Sequence, residues 1–305
     1  MLKREDLEGI ITIMPTAFKD DGAFDEENYR KNVDLICKTE VMGIMNMGTT
    51  GEFSSISISE YKKIVDVLID EVKGRVKTII GASAVSAGEA IERTRYAEEK
   101  GGDAVINVVP FYQPLNQKEA VKYYKDLANS CREIGILAYN NSITTKILLS
   151  PESYKELSEI PNFCGSKEIE SNIFYYMSIT KAAPSLKLWP VESILVPVAM
   201  LGCKGFYSSI IFMNPEFQNE IYEACMSKDW KKAKDMQNKI IDFIDKIVVP
   251  LRAKYNEVSL AKALVNASGF LYVGPPRPPC IPVSGEDQVK LRSDLEKYCP
   301  YLIYK

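Results

Sequence analysis

Short apolar segments alternate with helical patterns along most of this chain, and this alternation restricts its fold more than any other feature. Eight segments of three to six residues resemble buried strands, because each is largely apolar and is bounded by turn residues. Seven of the eight precede a helical pattern, which predicts parallel strands joined by helices. The segments span residues 10–14, 43–47, 78–80, 104–109, 134–138, 163–166, 186–189 and 205–208. This order favours a closed (β/α)8 barrel, the TIM barrel of the α/β class.

The last quarter of the chain has a different pattern. After about residue 226 the strand signals cease and helical periodicity continues, with a bend or an end expected at Pro250. Residues 274–279 are too rich in proline for regular structure. We therefore divide the chain into a barrel catalytic domain, residues 1–226, and a C-terminal helical extension, residues 227–305.

The charge balance and residue types exclude several classes of function. A formal net charge of -3, with basic and acidic residues intermixed, disfavours nucleic acid and anionic membranes as partners. Histidine is absent, which excludes Ser-His-Asp catalysis and His-based zinc sites. The seven cysteines are dispersed and lack C-x-x-C spacing, so we expect reduced thiols. We expect neither a metal nor an organic cofactor.

The beginning of the sequence suggests a location. Residues 1–6 are charged and lead into the first predicted strand, and no apolar stretch is long enough for a signal peptide core or a bilayer span. We therefore expect a cytoplasmic protein with no membrane partner, acting on a small molecule.

Polar residues directly follow three of the predicted strands. Gly-Thr-Thr-Gly-Glu at 48–52 follows the second, Tyr139-Asn140 the fifth and Lys167-Glu168 the sixth. The carboxyl ends of barrel strands share one face, where α/β barrels keep their chemistry. Two hydroxyls, a phenol and an amine at that face are what an amine nucleophile needs to attack a 2-oxo acid.

Lys167 is our candidate for that nucleophile. Its stem would cross the apolar barrel mouth, where desolvation favours a neutral amine, although a solvated turn lysine is the alternative. Tyr139 is the candidate proton carrier, and an ordinary core tyrosine is its alternative. Gly48 and Gly51 would let backbone amides approach an anion, but a plain strand-to-loop turn would also use them.

The same residues resemble a known family. Four motifs are similar, in order and spacing, to those of the dihydrodipicolinate synthase / N-acetylneuraminate lyase family of Schiff-base aldolases and lyases. They are residues 48–52, 110–112 (Pro-Phe-Tyr), 139–140 and 165–167 (Gly-Ser-Lys). The resemblance extends from about Gly9 to residues 277–279 and so covers most of the chain.

The resemblance implies a role for each matching residue. Lys167 would form the Schiff base, Tyr139 would shuttle protons through a relay with Thr49 and Tyr112, and Thr50 would bind the carboxylate of the 2-oxo acid. In that family the tyrosine at the Tyr112 position reaches in from an adjacent subunit. A homo-oligomer, either a dimer or a tetramer, is therefore implied.

Several positions depart from the family pattern. The synthases carry an Arg five residues after the shuttle tyrosine to clamp a second carboxylate, but this chain has Thr144 there. Asn141 and Thr144 would instead offer neutral hydrogen bonds to a hydroxylated tail. Trp189-Pro190 replaces a Gly-Asp/Ser loop and predicts a smaller or more apolar distal pocket. Tyr207 replaces an aliphatic residue and would either crowd the substrate or donate to it.

These features favour a Schiff-base lyase, aldolase or dehydratase acting on pyruvate or a 2-oxo-3-deoxy sugar acid. One alternative is the family's synthase reaction, the condensation of pyruvate with aspartate semialdehyde. A second alternative is a barrel that binds a 2-oxo acid without catalysis, since a fold alone does not fix a function. A pure binder would need no amine nucleophile with a proton relay.

Overall fold

The computed structural model describes residues 4–305, so the first half of the charged segment 1–6 lies outside the described residues. Eight parallel strands form the barrel, and each overlaps one of the expected segments. They are β1 Gly9–Ile13, β2 Gly43–Asn46, β3 Lys77–Gly81, β4 Ala104–Asn107, β5 Gly135–Asn140, β6 Phe163–Glu168, β7 Lys187–Trp189 and β8 Gly205–Ser208. Hydrogen bonds order them β7-β6-β5-β4-β3-β2-β1-β8. The predicted (β/α)8 barrel is confirmed.

Helices surround the strands and continue into the C-terminal extension. Around the barrel they are α1 Glu26–Cys37, α2 Ile58–Val72, α3 Ala87–Glu99, α4 Gln117–Ser130, α5 Ser142–Thr145, α6 Pro151–Ser158, α7 Ile173–Ala182, α8 Leu195–Met200 and α9 Pro215–Met226. In the extension they are α10 Trp230–Phe243, α11 Val249–Arg252, α12 Glu257–Ser268 and α13 Gly285–Tyr298. Within residues 4–305, none of these helices has the length and apolar character needed to cross a bilayer.

The helical path continues through Pro250, where the sequence predicted a bend or an end. A π-helical segment, Ile244–Val248, joins α10 to α11, and Pro250 lies in the first turn of α11. The π-helical turn directly before Pro250 accommodates a proline ring that would clash with the preceding turn of a regular α-helix. The chain therefore continues in helical form to Arg252.

Strand register decides which side chains face the barrel interior. Tyr139 pairs with Lys167 and Lys167 pairs with Trp189, so these three share one face of the sheet. Gly205 makes room for the indole, because a Cβ atom there would lie 2.5 Å from Trp189 Nε1. Trp189 therefore fills space in the barrel interior between β7 and β8, and the expectation of a smaller or more apolar distal pocket stays a prediction.

A buried ion pair attaches the extension to the barrel. Lys262 Nζ lies 2.6 Å from Glu52 Oε1, and the two side chains are 1% and 3% exposed. Lys262 also donates to the Pro275 carbonyl at 2.9 Å, while the amide of Arg277 donates to the second Glu52 oxygen at 2.8 Å. Burial lowers the pKa of Lys262, and the charge of Glu52 opposes this shift. The loop after β2 thus depends on partners more than 200 residues away.

The hydrophobic core also continues from barrel to extension. Phe206 of β8 belongs to one cluster with Ile240 of α10 and Leu264 of α12. Val265 of α12 joins the larger cluster that contains Ile13 of β1. The division at residue 226 stays a prediction. Hydrophobic residues on both sides of it pack in the same clusters.

Breaking the buried pair should destabilise the protein strongly. Lys262→Met leaves Glu52 charged and without its cation, so we expect a loss of about 3 to 5 kcal/mol in the free energy of unfolding, measured by chemical denaturation. Lys254→Met, which removes the ion pair between an exposed lysine and the partly buried Asp287, is the control and should cost at most about 1 kcal/mol. Adding Glu52→Gln to Lys262→Met should recover part of the loss. Equal stability of Lys262→Met and the control would contradict this account.

Candidate active site

A cavity of about 310 Å³ opens at the carboxyl ends of the barrel strands. Its barrel side is formed by Ile13, Tyr139, Lys167 and Tyr207 from four strands and by Thr50 from the loop after β2. Small-molecule sites typically occupy about 300 to 1,000 Å³, so this cavity suits a short metabolite. The structure thus brings the leading sequence candidates together at the face where barrel enzymes carry their chemistry.

Lys167 reaches this cavity from the inner face of β6 and is only 5% exposed. Its Nζ lies 3.7 Å from the ring centroid of Tyr139 and 4.4 Å from that of Tyr207. Two aromatic rings therefore hold the amine and can stabilise a positive charge on its nitrogen. An amine so placed can add to a carbonyl carbon in the cavity and form an iminium ion.

The hydroxyl of Tyr139 lies within a short chain of polar groups. Thr49 Oγ1 lies 3.4 Å from it, and Asn141 Nδ2 donates to it at 3.3 Å. Typical O–H···O hydrogen bonds are about 2.7 to 2.8 Å long, so the Thr49 contact is loose. Catalytic hydrogen bonds often tighten only when substrate binds. The arrangement can pass a proton between Thr49 and a substrate oxygen through Tyr139.

The loop at residues 48–52 has unused hydrogen-bond donors. Within residues 4–305 the amides of Thr50 and Gly51 donate to no protein acceptor, whereas the Gly51 carbonyl accepts from Thr16 Oγ1 at 2.7 Å. Gly51 is needed because a Cβ atom would lie 2.7 Å from the Met47 backbone. At Gly48 a Cβ atom would meet only the flexible end of a methionine. Two spare amides beside the Thr50 side chain suit a carboxylate.

Tyr207 closes the wall opposite Tyr139. Burial raises the pKa of its phenol well above the ordinary value, and the nearby Tyr139 and Glu192 add to the shift. The hydroxyl therefore stays protonated and can donate a hydrogen bond, in addition to narrowing the cavity beside Lys167.

Of the ten sequence candidates, only Thr50, Tyr139, Lys167 and Tyr207 line the cavity. The other six do not, namely Gly48, Thr49, Gly51, Tyr112, Asn141 and Thr144. Tyr112 is 76% exposed on the loop after β4, where Lys146 Nζ donates to its carbonyl at 3.1 Å. Thr144 is exposed on α5, and its hydroxyl donates to the Asn141 carbonyl at 3.2 Å. Neither residue lines the cavity of this chain. Asn141 contacts Tyr139 rather than the cavity.

The far wall of the cavity comes from residues that the motifs did not indicate. Phe243, Val248, Arg252, Glu257 and Leu264 line it from the extension. They follow ordinary helical periodicity, and no local signal distinguishes them from core or surface positions. Only the packing of the extension over the barrel brings them to the site.

A buried network supports β5 and β6 from behind the cavity. Glu168 accepts from Asn140 Nδ2 at 2.8 Å and from the Tyr154 hydroxyl, and Asn140 also donates to Tyr175 at 2.7 Å. Burial raises the pKa of Glu168 to about 7, while hydrogen bonds from Ser166, Tyr154 and Asn140 oppose the shift. These groups hold adjacent strands together directly beside Tyr139 and Lys167.

Comparison with known proteins agrees with this geometry. The model of the Dihydrodipicolinate synthetase family matches residues 6–298. The 4-hydroxy-tetrahydrodipicolinate synthase of Methanopyrus kandleri is 30% identical over 300 residues, which is 95% of this chain and 96% of the relative. The crystal structure of dihydrodipicolinate synthase from Aquifex aeolicus has a TM-score of 0.86 at 26% identity, covering 98% of this chain and 99% of its own. The chain belongs to the dihydrodipicolinate synthetase family and is a class I lyase.

A further solved structure in the comparison shares the fold. It is a monomeric dihydrodipicolinate synthase variant, with a TM-score of 0.85 at 23% identity, covering 97% of this chain and 98% of its own. At that identity the likeness shows the fold alone.

Removing only the Tyr139 hydroxyl should slow turnover while leaving the fold intact. We expect Tyr139→Phe to lower kcat about 10²- to 10⁴-fold with little change in KM, because general acid/base groups contribute about that much. Tyr123→Phe is a matched control, since it removes a buried hydroxyl on α4 that has no hydrogen-bond partner among residues 4–305. A kcat for Tyr139→Phe within about twofold of the control would mean that another group moves the proton.

Proposed function

We propose that this family member cleaves or dehydrates a 2-oxo acid through a Schiff base on Lys167. The observation that carries the proposal is the position of Lys167 Nζ, 3.7 Å from the Tyr139 ring centroid in a cavity that also contains Thr50. An amine, a phenol and free amide donors meet there, as the reaction requires.

The first stage forms the iminium ion. Lys167 Nζ adds to the C2 carbonyl carbon of the substrate, and its surplus proton reaches the former carbonyl oxygen through Tyr139. Tyr139 then protonates that oxygen again, so that water leaves and a C=N bond forms. The amides of Thr50 and Gly51 hold the adjacent carboxylate throughout.

The second stage uses the iminium as an electron sink. In an aldol cleavage the C4 hydroxyl gives its proton to Tyr139, the C3–C4 bond breaks, and its electron pair moves through C3 to the nitrogen. An aldehyde leaves, the resulting enamine takes a proton at C3, and water releases pyruvate and regenerates the Lys167 amine. In a dehydration a C3 proton and the C4 hydroxyl leave instead.

Substrates with hydroxyl groups beyond C3 fit the polar lining of the cavity, which includes Ser193 and Ser209. The synthase reaction is the second candidate, and the name of the Methanopyrus kandleri relative supports it. A coupled assay with pyruvate and aspartate semialdehyde distinguishes the synthase reaction from cleavage or dehydration.

A cytoplasmic location remains a prediction, supported by free thiols at Cys131, Cys225 and Cys299.

Borohydride reduction should trap the intermediate on Lys167. Incubation with pyruvate and sodium borohydride should add one reduced pyruvyl group, which peptide mass spectrometry should locate at Lys167. Lys167→Ala should abolish the adduct and turnover, whereas Lys181→Ala, on the outer helix α7, should leave both unchanged. An adduct at another residue, or none with a panel of 2-oxo acids, would contradict the Schiff-base mechanism.

We also propose that Tyr112 completes the site of a neighbouring copy of this chain. The support is its 76% exposure on a loop that Lys146 holds, together with the incomplete relay at Thr49 and Tyr139. A dimer or tetramer is thus expected, and the monomeric family variant makes this point worth testing.

Mixing two inactive variants provides that test. Lys167→Ala and Tyr112→Ala homo-oligomers should each have little activity. A hybrid should regain part of it, because one site then has Lys167 from one subunit and Tyr112 from the other. Absence of recovery in hybrids verified by native mass spectrometry, or a fully active monomer in sedimentation, would refute the shared site.

A further inference from the structure

The extension places one unpaired cation at the far wall of the active-site cavity. Arg252 is the last residue of α11 and is exposed to solvent on its open side. It lines the same cavity as Lys167, and these two are the cations in that lining. A substrate bound covalently to Lys167 would extend from the barrel strands toward this wall.

The arginines of this chain are otherwise almost all engaged. Seven of nine have side-chain hydrogen bonds to protein groups, namely Arg4, Arg30, Arg75, Arg93, Arg95, Arg277 and Arg292. Within residues 4–305 the side chains of Arg132 and Arg252 have no such partner, and of these two only Arg252 lines the cavity. Its guanidinium therefore has its full set of donors available to a ligand.

The acidic residues of the cavity do not neutralise this guanidinium. Glu192 is occupied by the amides of Ser209 and Ile210, the latter at 3.0 Å. Glu257 lines the cavity, and within residues 4–305 no ion pair joins it to Arg252. A ligand carboxylate at this wall could thus bind the Arg252 guanidinium directly. The negative charge of Glu257 would repel it and weaken the binding.

The wall that carries Arg252 is otherwise partly apolar. Phe243, Val248 and Leu264 line the same cavity, whereas the side chain of Arg252 is exposed to solvent. A guanidinium matches a carboxylate in two parallel hydrogen bonds. Thr144, by contrast, is exposed, and its hydroxyl is bonded to a backbone carbonyl.

We propose that Arg252 is a specificity-determining residue that binds a second carboxylate at the far end of the substrate. The chemical class is a short 2-oxo acid that carries a terminal carboxylate, or an acceptor aldehyde that carries one. This inference rests on the proposed Schiff-base function and specifies its substrate. It applies equally to cleavage and to condensation.

Two aldol substrates that differ only at the far end provide the test. 4-Hydroxy-2-oxoglutarate has a terminal carboxylate, and 4-hydroxy-2-oxopentanoate has a methyl group in its place. Arg252→Gln should lower kcat/KM for the first about 10- to 100-fold and leave the second within about twofold. Arg252→Lys should retain part of the selectivity, because it keeps the charge but loses the paired geometry. Glu257→Gln should change selectivity in the opposite direction.

Arg132→Gln is the matched control, since it removes another unpaired arginine at the opposite end of the barrel, before β5. It should leave both substrates unchanged. Equal effects of Arg252→Gln on both substrates, or none on either, would overturn the assignment. Because borohydride trapping with pyruvate tests the Schiff base independently, an adduct together with unchanged selectivity would refute only the role of Arg252.

Discussion

The parallel register between β5 and β6 is the constraint on which the site depends. It pairs Tyr139 with Lys167 on the inner face and Asn140 with Glu168 on the outer face. A slip of one residue would turn Lys167 toward the helices and Glu168 into the cavity. The Asn140–Glu168 hydrogen bond at 2.8 Å opposes such a slip, because the slip would leave these buried polar groups without partners. The chemistry on one face is thus held by a polar network on the other.

The extension has an equally direct effect on the site. The Lys262–Glu52 pair fixes the end of the loop whose Thr50 and Gly51 amides are free, and α10 to α12 form the far wall. The barrel supplies the nucleophile and the proton carrier, whereas the extension supplies the shape and charge of the distal pocket. Such a division explains how related barrels can share one mechanism and differ in substrate.

The sequence was sufficient for the barrel and for its reactive face. Strand positions follow from apolar runs, and Lys167 and Tyr139 stand out because polar residues follow those runs. Two strands extend past their apolar runs: β5 continues to Asn140 and β6 to Glu168, since these polar residues pair with each other across the sheet. Register between strands depends on both partners and is not visible in either alone.

The contacts between the extension and the barrel could not be predicted from the sequence pattern around each residue. The amide of Arg277 bonds to Glu52 across 225 residues, and Arg252 and Lys262 are unremarkable within their helices. The position of Trp189 inside the barrel depends on Gly205 of β8, which leaves space for the indole. Each of these contacts depends on tertiary packing, because the residues that form it are far apart in the sequence and hydrophobic periodicity describes only one element at a time.

The central claim is that Lys167 bonds covalently to the C2 carbon of a 2-oxo acid beside Tyr139. Carbon-13 NMR of [2-¹³C]pyruvate bound to protein labelled with ¹⁵N in its lysine side chains tests it most directly. We predict a new C2 resonance, distinct from the free ketone and its hydrate, that is split by one-bond coupling to nitrogen and is absent in Lys167→Ala. A bound pyruvate that keeps an uncoupled ketone resonance at saturation would contradict the account.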